Sequence, residues 1–332
     1  MKAFGVLPRR DDDTVSPFYE VEIPIPRPNP REILVKVHAI SVNPVDTKIR
    51  AALPQTVTEP RILGWDASGV VEAVGDDVSD FSPGDEVYYA GDVTKSGCNA
   101  EWHCVDERLV AHKPKTLDFA QAASLPLTSL TAWEGLVERM RMEPGKRILI
   151  IGGAGGVGSI AIQLAKWMGL HVTTTVSREQ SQKWCASMGA DEVLDHSRDL
   201  AMQCQMLGMP PFAMIANFFS TEKYWDFMGE WIAPMGQLLL IVEPQVLLRL
   251  GDPLKAKCVS IHWEFMFARS KFTTPCMAQQ GAILRKVADL IDQGSLRHTM
   301  YAPAQKISCE SLQDAHDLMK SGTAIGKHVL YF

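Results

Sequence analysis

A chain of 332 residues with 46% hydrophobic residues, 22% charged residues and a formal net charge of −6 has the length for two cores and an ordinary globular composition, which excludes fibrous and disordered classes. The acidic balance gives no broad basic field, no Lys/Arg run exceeds two residues and no apolar stretch approaches the roughly eighteen residues of a membrane helix, so neither nucleic-acid binding nor membrane spanning is expected. The seven cysteines (Cys98, Cys104, Cys185, Cys204, Cys258, Cys276 and Cys309) form no CxxC and read as reduced thiols, and "MKAFGVLPRRDDD" is no secretory signal, so a cytoplasmic location is expected.

Up to about residue 118, short β-rich runs ("EILVKVHAISV", "GVVEAVG", "DEVYYAG") alternate with Pro/Gly/Asp turns and predict an irregular β-rich domain. Within it, "ILGWDASG" is a glycine-led turn with Trp65 and Asp66 at its tip. From "TLDFAQAASLPLTSLTAWEGLVERM" onward apolar residues take helical spacing. Then "RILIIGGAGGVGSIAIQLAKWMGLHVTTTV" reads as strand, glycine turn, helix and strand, and "FAMIANFF" and "GQLLLIVEP" continue the alternation as later strands of a parallel α/β sheet. The tail has two amphipathic helices and a last strand, "KHVLYF", but no glycine-rich turn and too little chain for its own core. It is therefore expected to fold back, making 1–121 and 268–332 one domain and 122–267 an inserted one.

Gly153, Gly155 and Gly158 fit G-x-G-x-x-G directly after a strand and at the start of a helix. That context points to a dinucleotide whose pyrophosphate lies on the helix N-terminus, held by the backbone of Gly153, Ala154, Gly155, Gly156, Val157 and Gly158. The next strand ends in Ser177 and Arg178, where an NAD site would place Asp or Glu. A hydroxyl and a guanidinium suit the 2′-phosphate of NADP, the alternative being an arginine that projects into solvent. His196, after the third strand, is a second candidate near that phosphate or a plain surface histidine.

The proline-rich start together with "VNPVDTKIR", "LGWDASGVVEAVG", "FSPGDEVYY", "AASLPLTSLTAWEGL", "GGAGGVG" and "GKHVLYF" resembles the medium-chain dehydrogenase/reductase superfamily over the whole chain, and within it the quinone oxidoreductase and alcohol-dehydrogenase-like branch. The resemblance implies a GroES-like catalytic domain, a Rossmann NADP-binding domain and a homodimer joined through the strand at 258–264, "CVSIHWE". Zinc-dependent members hold their catalytic metal at positions that correspond here to Asn43, Trp65 and Leu127, none of them a zinc ligand. The structural zinc lobe of such members needs four closely spaced cysteines, whereas 91–104 holds only Cys98 and Cys104. No zinc is therefore expected.

By the same resemblance Asn43 lies beside the nicotinamide and offers its amide N–H to substrate or coenzyme, or else stabilises the turn before Pro44. Asp46 is expected to hold the loop as a carboxylate rather than serve as an acid, and Asp66 to pair with a basic group or backbone. Lys48, Trp65, Asp66 and Leu127 are expected around the substrate, with a solvated lysine as the alternative at Lys48. Thr131, Phe218, Phe219 and Val242 are expected along the coenzyme, or in the core. No tyrosine lies between Tyr19 and Tyr88, which disfavours a tyrosine proton donor from that lobe. Without a Lewis acid, reduction of a quinone or α,β-unsaturated carbonyl by NADPH is the expected reaction. A non-catalytic NADPH-binding structural or regulatory protein, and an alcohol dehydrogenase with an atypical metal site, remain open.

Overall fold

A computed structural model describes residues 1–8 and 16–332. The chain divides into two compact units, Met1–Leu130 with Phe267–Phe332, and Thr131–Met266. Residues 122–130, expected from the sequence in the inserted domain, thus belong to the first unit. The reason is local packing: the helix Phe119–Ala123 lies on the strands Glu32–Val42 and Ala67–Val74, and Ala123 joins Ala39 and Val329 in one buried cluster.

The first unit is built on Glu32–Val42, an eleven-residue run of largely buried side chains with three strand partners. Ala67–Val74 and Trp102–Asp106 pair with it antiparallel, and so does His328–Tyr331 from the end of the chain. Glu86–Tyr89, Val110–His112 and Gln305–Lys306 complete this seven-stranded sheet, and Phe18–Glu22, Lys2–Val6 and Arg61–Ile62 form a separate three-stranded one. The last strand puts His328 opposite Val42, which brings Lys327 to the residues that follow Glu32–Val42.

The second unit is a six-stranded parallel sheet in the order Glu192–Asp195, His171–Val176, Arg147–Ile151, Phe212–Asn217, Ile232–Leu240 and Ser260–Trp263. Parallel strands are covered on both faces and need continuous apolar runs, and Ile148 to Ile151 are fully buried. This is the doubly wound order, whose direction reverses between Arg147–Ile151 and Phe212–Asn217; ligands bind such sheets at the carboxyl ends of the strands beside that reversal. Ser260–Trp263 is an outer strand with Trp263 half exposed. Among the described residues no helix is long and apolar enough to cross a membrane.

Candidate functional site

In the second unit, Arg147–Ile151 runs into the glycine turn and then the helix Gly156–Trp167, whose N-cap is Gly155 and whose N-terminus no side chain caps. The glycines are there for different reasons. A Cβ on Gly153 would lie 1.8 Å from Thr174 Oγ1 and one on Gly158 2.3 Å from Gly152 O, so close packing of helix on strand forbids both. A Cβ on Gly155 would meet only Gly152 O, at 3.5 Å, and its φ of −71° suits any residue. The protein's own atoms therefore do not require glycine at 155. The space above it suits the close approach of a pyrophosphate to the backbone, so the turn fits a dinucleotide. Ala154, Gly155, Gly156 and Val157 are partly exposed along it.

Ser177 and Arg178 are exposed just beyond His171–Val176, with Arg178 at the N-cap of Glu179–Ser187. His196 is half-buried after Glu192–Asp195, its Nδ1 3.4 Å from Thr175 Oγ1, and that oxygen also accepts the Gly152 N–H at 3.2 Å. Phe219 is exposed and packs against the Gly152 side of the turn, while Phe218 is half-buried. Val242 is half-buried and accepts the Thr221 hydroxyl at its carbonyl; Thr131 is buried on the helix Pro126–Trp133. Lys223, which the sequence reading missed, stands on the first turn of Thr221–Trp231 with its ammonium 6.0 Å from the Phe219 ring centroid.

The first unit holds a buried polar cluster centred on Asp66. Its Oδ1 accepts the Leu127 N–H at 2.9 Å, and its Oδ2 accepts the Ser41 hydroxyl at 2.8 Å, the Asn43 amide at 3.1 Å and the Lys327 ammonium at 3.0 Å. Asp66 and Lys327 have almost no accessible surface. The ammonium also donates to Val42 O and to Asn43 Oδ1, which fixes the amide orientation because an ammonium can only donate. The Asn43 Nδ2 then donates to Asp66 Oδ2 and, at 3.3 Å, to Ser41 O. Both amide hydrogens that the sequence reading offered to a ligand are thus engaged inside the cluster.

Asp46 is buried on the first turn of the helix Pro44–Ala51, and its Oδ2 accepts the Asn43 backbone N–H at 2.8 Å. Burial raises its carboxyl to about 7, against the lowering effects of that hydrogen bond and of Lys327 and with a further rise from Asp66. An ordinary ionised loop-holder was expected. Two buried acids share a single buried cation, and the acid outside the ion pair keeps its proton toward neutrality. Its Oδ1 has no hydrogen-bond partner.

The remaining expected pocket residues are placed differently. Trp65 has no accessible surface: its Nε1–H donates to Asp92 O at 2.9 Å and its ring meets Phe267 edge-on. Lys48 is exposed on Pro44–Ala51, and Leu127 contributes its backbone N–H while its side chain is buried. Lys327 was missed by the sequence reading because nothing local distinguishes a lysine before a strand. These groups do not fit a tetrahedral zinc site: the one central carboxylate already accepts from four donors, and an amide, an indole and a leucine stand where ligands would. Among the described residues no group of three or more His, Cys, Asp or Glu is placed to hold a metal ion.

The chain matches the family model of the alcohol dehydrogenase GroES-like domain over residues 29–115 and that of the zinc-binding dehydrogenases over 156–248. It is 42% identical to a zinc-type alcohol dehydrogenase-like protein of Staphylococcus epidermidis, covering 99% of each chain. Among solved structures it is similar to a Rhizobium etli protein described as a putative zinc-dependent alcohol dehydrogenase, at 44% identity and a TM-score of 0.93 over 100% of this chain and 98% of the other. It is also similar to the quinone oxidoreductase of Pseudomonas syringae, at 25% identity and a TM-score of 0.84 over the whole of both chains. With the GroES-like sheet, the doubly wound sheet and the glycine turn in place, the chain belongs to the medium-chain dehydrogenase/reductase superfamily and is an oxidoreductase of that family.

Proposed function

We propose that this protein is an NADPH-dependent, zinc-independent reductase that transfers hydride to a quinone or an α,β-unsaturated carbonyl. The observation that carries the reading is the buried Lys327 ammonium on Asp66 and Asn43: the cation of this cluster is a side chain, and a metal there would face it directly. NADPH supplies the hydride. The glycine turn holds its pyrophosphate, and Ser177 and Arg178 bind its 2′-phosphate, where a carboxylate would repel one. Hydride addition to an enone or quinone delocalises charge onto a carbonyl oxygen, which hydrogen-bond donors stabilise without a Lewis acid. Of Asn43 and Asp46, Asp46, expected from the sequence only to hold the loop, is the one with a proton to release near neutrality, whereas Asn43 is locked as a positioning group.

The outer strand Ser260–Trp263 supports a homodimer, and seven free cysteines suit a reducing, cytoplasmic setting. The test is NADPH oxidation followed by absorbance with a panel of quinones, enones and aldehydes, with and without a strong chelator, alongside metal analysis of the purified protein. Turnover with quinones or enones that ignores the chelator is expected. Stoichiometric zinc with alcohol oxidation, or coenzyme binding without any turnover, would replace the reading by one of its rivals.

A further inference from the structure

Lys327 has a part in the reaction as well as in the core, a step that rests on the reductase reading above. A well-packed apolar pair of the same volume holds a core about as well as a buried ion pair does, so burial of Lys327 with Asp66 is weak evidence of a purely stabilising role. What an apolar pair cannot supply is direction. The Lys327 ammonium has three protons and three acceptors: Asp66 Oδ2 at 3.0 Å, Val42 O at 3.1 Å and Asn43 Oδ1. Asp66 in turn accepts from Ser41, Asn43, Lys327 and the Leu127 N–H.

Three segments of the first unit are thereby tied to one cation. The first is the end of Glu32–Val42 with the start of Pro44–Ala51, the helix of Asp46. The second is the turn that carries Asp66. The third is the start of Pro126–Trp133, where the Leu127 N–H belongs to the first turn and has no carbonyl of its own helix to meet, so Asp66 supplies the acceptor.

Asn43 is where the three come together. Its amide has nearly the same shape in either orientation, and only a partner that donates without accepting decides between them. Lys327 is that partner, and with Oδ1 held by the ammonium, Nδ2 is left to donate to Asp66 Oδ2 at 3.1 Å. From the other side the Asn43 backbone N–H donates to Asp46 Oδ2 at 2.8 Å. The last strand of the chain thus reaches the acid of the reductase reading through one residue. We infer that Lys327 is a positioning residue for the reduction: it orients Asn43 and, with Asp66, fixes the helices that begin at Pro44 and Pro126 in the geometry the reaction needs.

The experiment compares the wild-type full chain with the charge-neutral double variant Lys327→Met with Asp66→Asn, in which no buried charge is left alone and the Asn43 amide loses the donor that orients it. Steady-state kinetics with NADPH and a quinone or enone that the wild type turns over, thermal unfolding and NADPH titration are read on both. A misplacement of about 1 Å can cost about a hundredfold in rate, so kcat is expected to fall by about tenfold to a hundredfold. Cooperative melting, the KM for NADPH and its affinity should be kept, because the glycine turn is in the second unit. A folded double variant with wild-type kcat shows a merely structural cation and overturns the inference, as does a loss of kcat matched by an equal loss of NADPH affinity. If the double variant does not fold, Asn43→Ala takes its place, since it keeps the ion pair and removes only the amide that Lys327 orients: about a tenfold loss of kcat with NADPH affinity kept supports the inference, and wild-type kcat overturns it. A wild type that turns over neither quinones nor enones sinks the reductase reading, and this inference with it.

Discussion

Lys327 and Asp66 form an ion pair with almost no access to water, so each residue is tolerated in the core only because of the other. Removing the cation alone leaves a buried carboxylate uncompensated. Lys327→Met is therefore expected to lower unfolding free energy by about 3–5 kcal/mol, and Lys327→Met with Asp66→Asn by clearly less than the sum of the single changes, as read by denaturant unfolding. Asp46 makes the opposite kind of statement. Its folded-state carboxyl stands at about 7, above its value in the unfolded chain, so the native state binds more protons across that interval. The stability it contributes is then fully present below the ordinary carboxylate range and is lost as pH rises toward 7, at about 1.4 kcal/mol for each pH unit in between. Asp46→Asn keeps an acceptor for the Asn43 N–H and removes the titration. Its stability should be nearly flat over that window and exceed wild type above pH 7; a pH dependence as steep as wild type's would show that Asp46 is not the group responsible.

At the level of the element, the strand, glycine turn and helix from Arg147 to Trp167 follow from local sequence. The motif needs no distant partner: an apolar run, three glycines at fixed spacing and a helical pattern specify it. Their separate duties, by contrast, are visible only in the packing. Gly158→Ala forces a Cβ against Gly152 O and is expected to destabilise by about 1–3 kcal/mol, whereas Gly155→Ala makes only an ordinary contact with Gly152 O and should leave the melting temperature nearly unchanged. On the proposed coenzyme reading, the same Gly155→Ala should weaken coenzyme binding by about tenfold or more, since its methyl would occupy the space the pyrophosphate needs. Thermal unfolding and coenzyme titration of both variants separate the two duties. If Gly155→Ala binds NADPH normally, the turn is not the cradle.

The whole molecule adds what chain order conceals. Ser260–Trp263 ends the six-stranded sheet with Trp263 and the following Phe265 half exposed, and Val246, Leu247 and Leu250 are exposed in the same unit. An outer strand with exposed aromatic side chains is a template for a second copy of itself. A dimer by light scattering, converted to monomer by Trp263→Glu, is the expected outcome; a wild-type monomer at micromolar concentration would remove the homodimer from the reading. Sequence by itself determined the fold class, the glycine turn and the absence of zinc-ligand side chains at Asn43, Trp65 and Leu127, because period, glycine spacing and side-chain chemistry are carried by neighbours along the chain. It also raised Ser177, Arg178 and His196, which follow strand ends. Only the tertiary structure decided that Trp65 is core and that Asn43 is locked. It alone set the ionisation of Asp46 and joined Lys327 to Asp66 across the sheet, since burial, charge and hydrogen-bond saturation depend on residues that meet only when His328–Tyr331 pairs with Glu32–Val42.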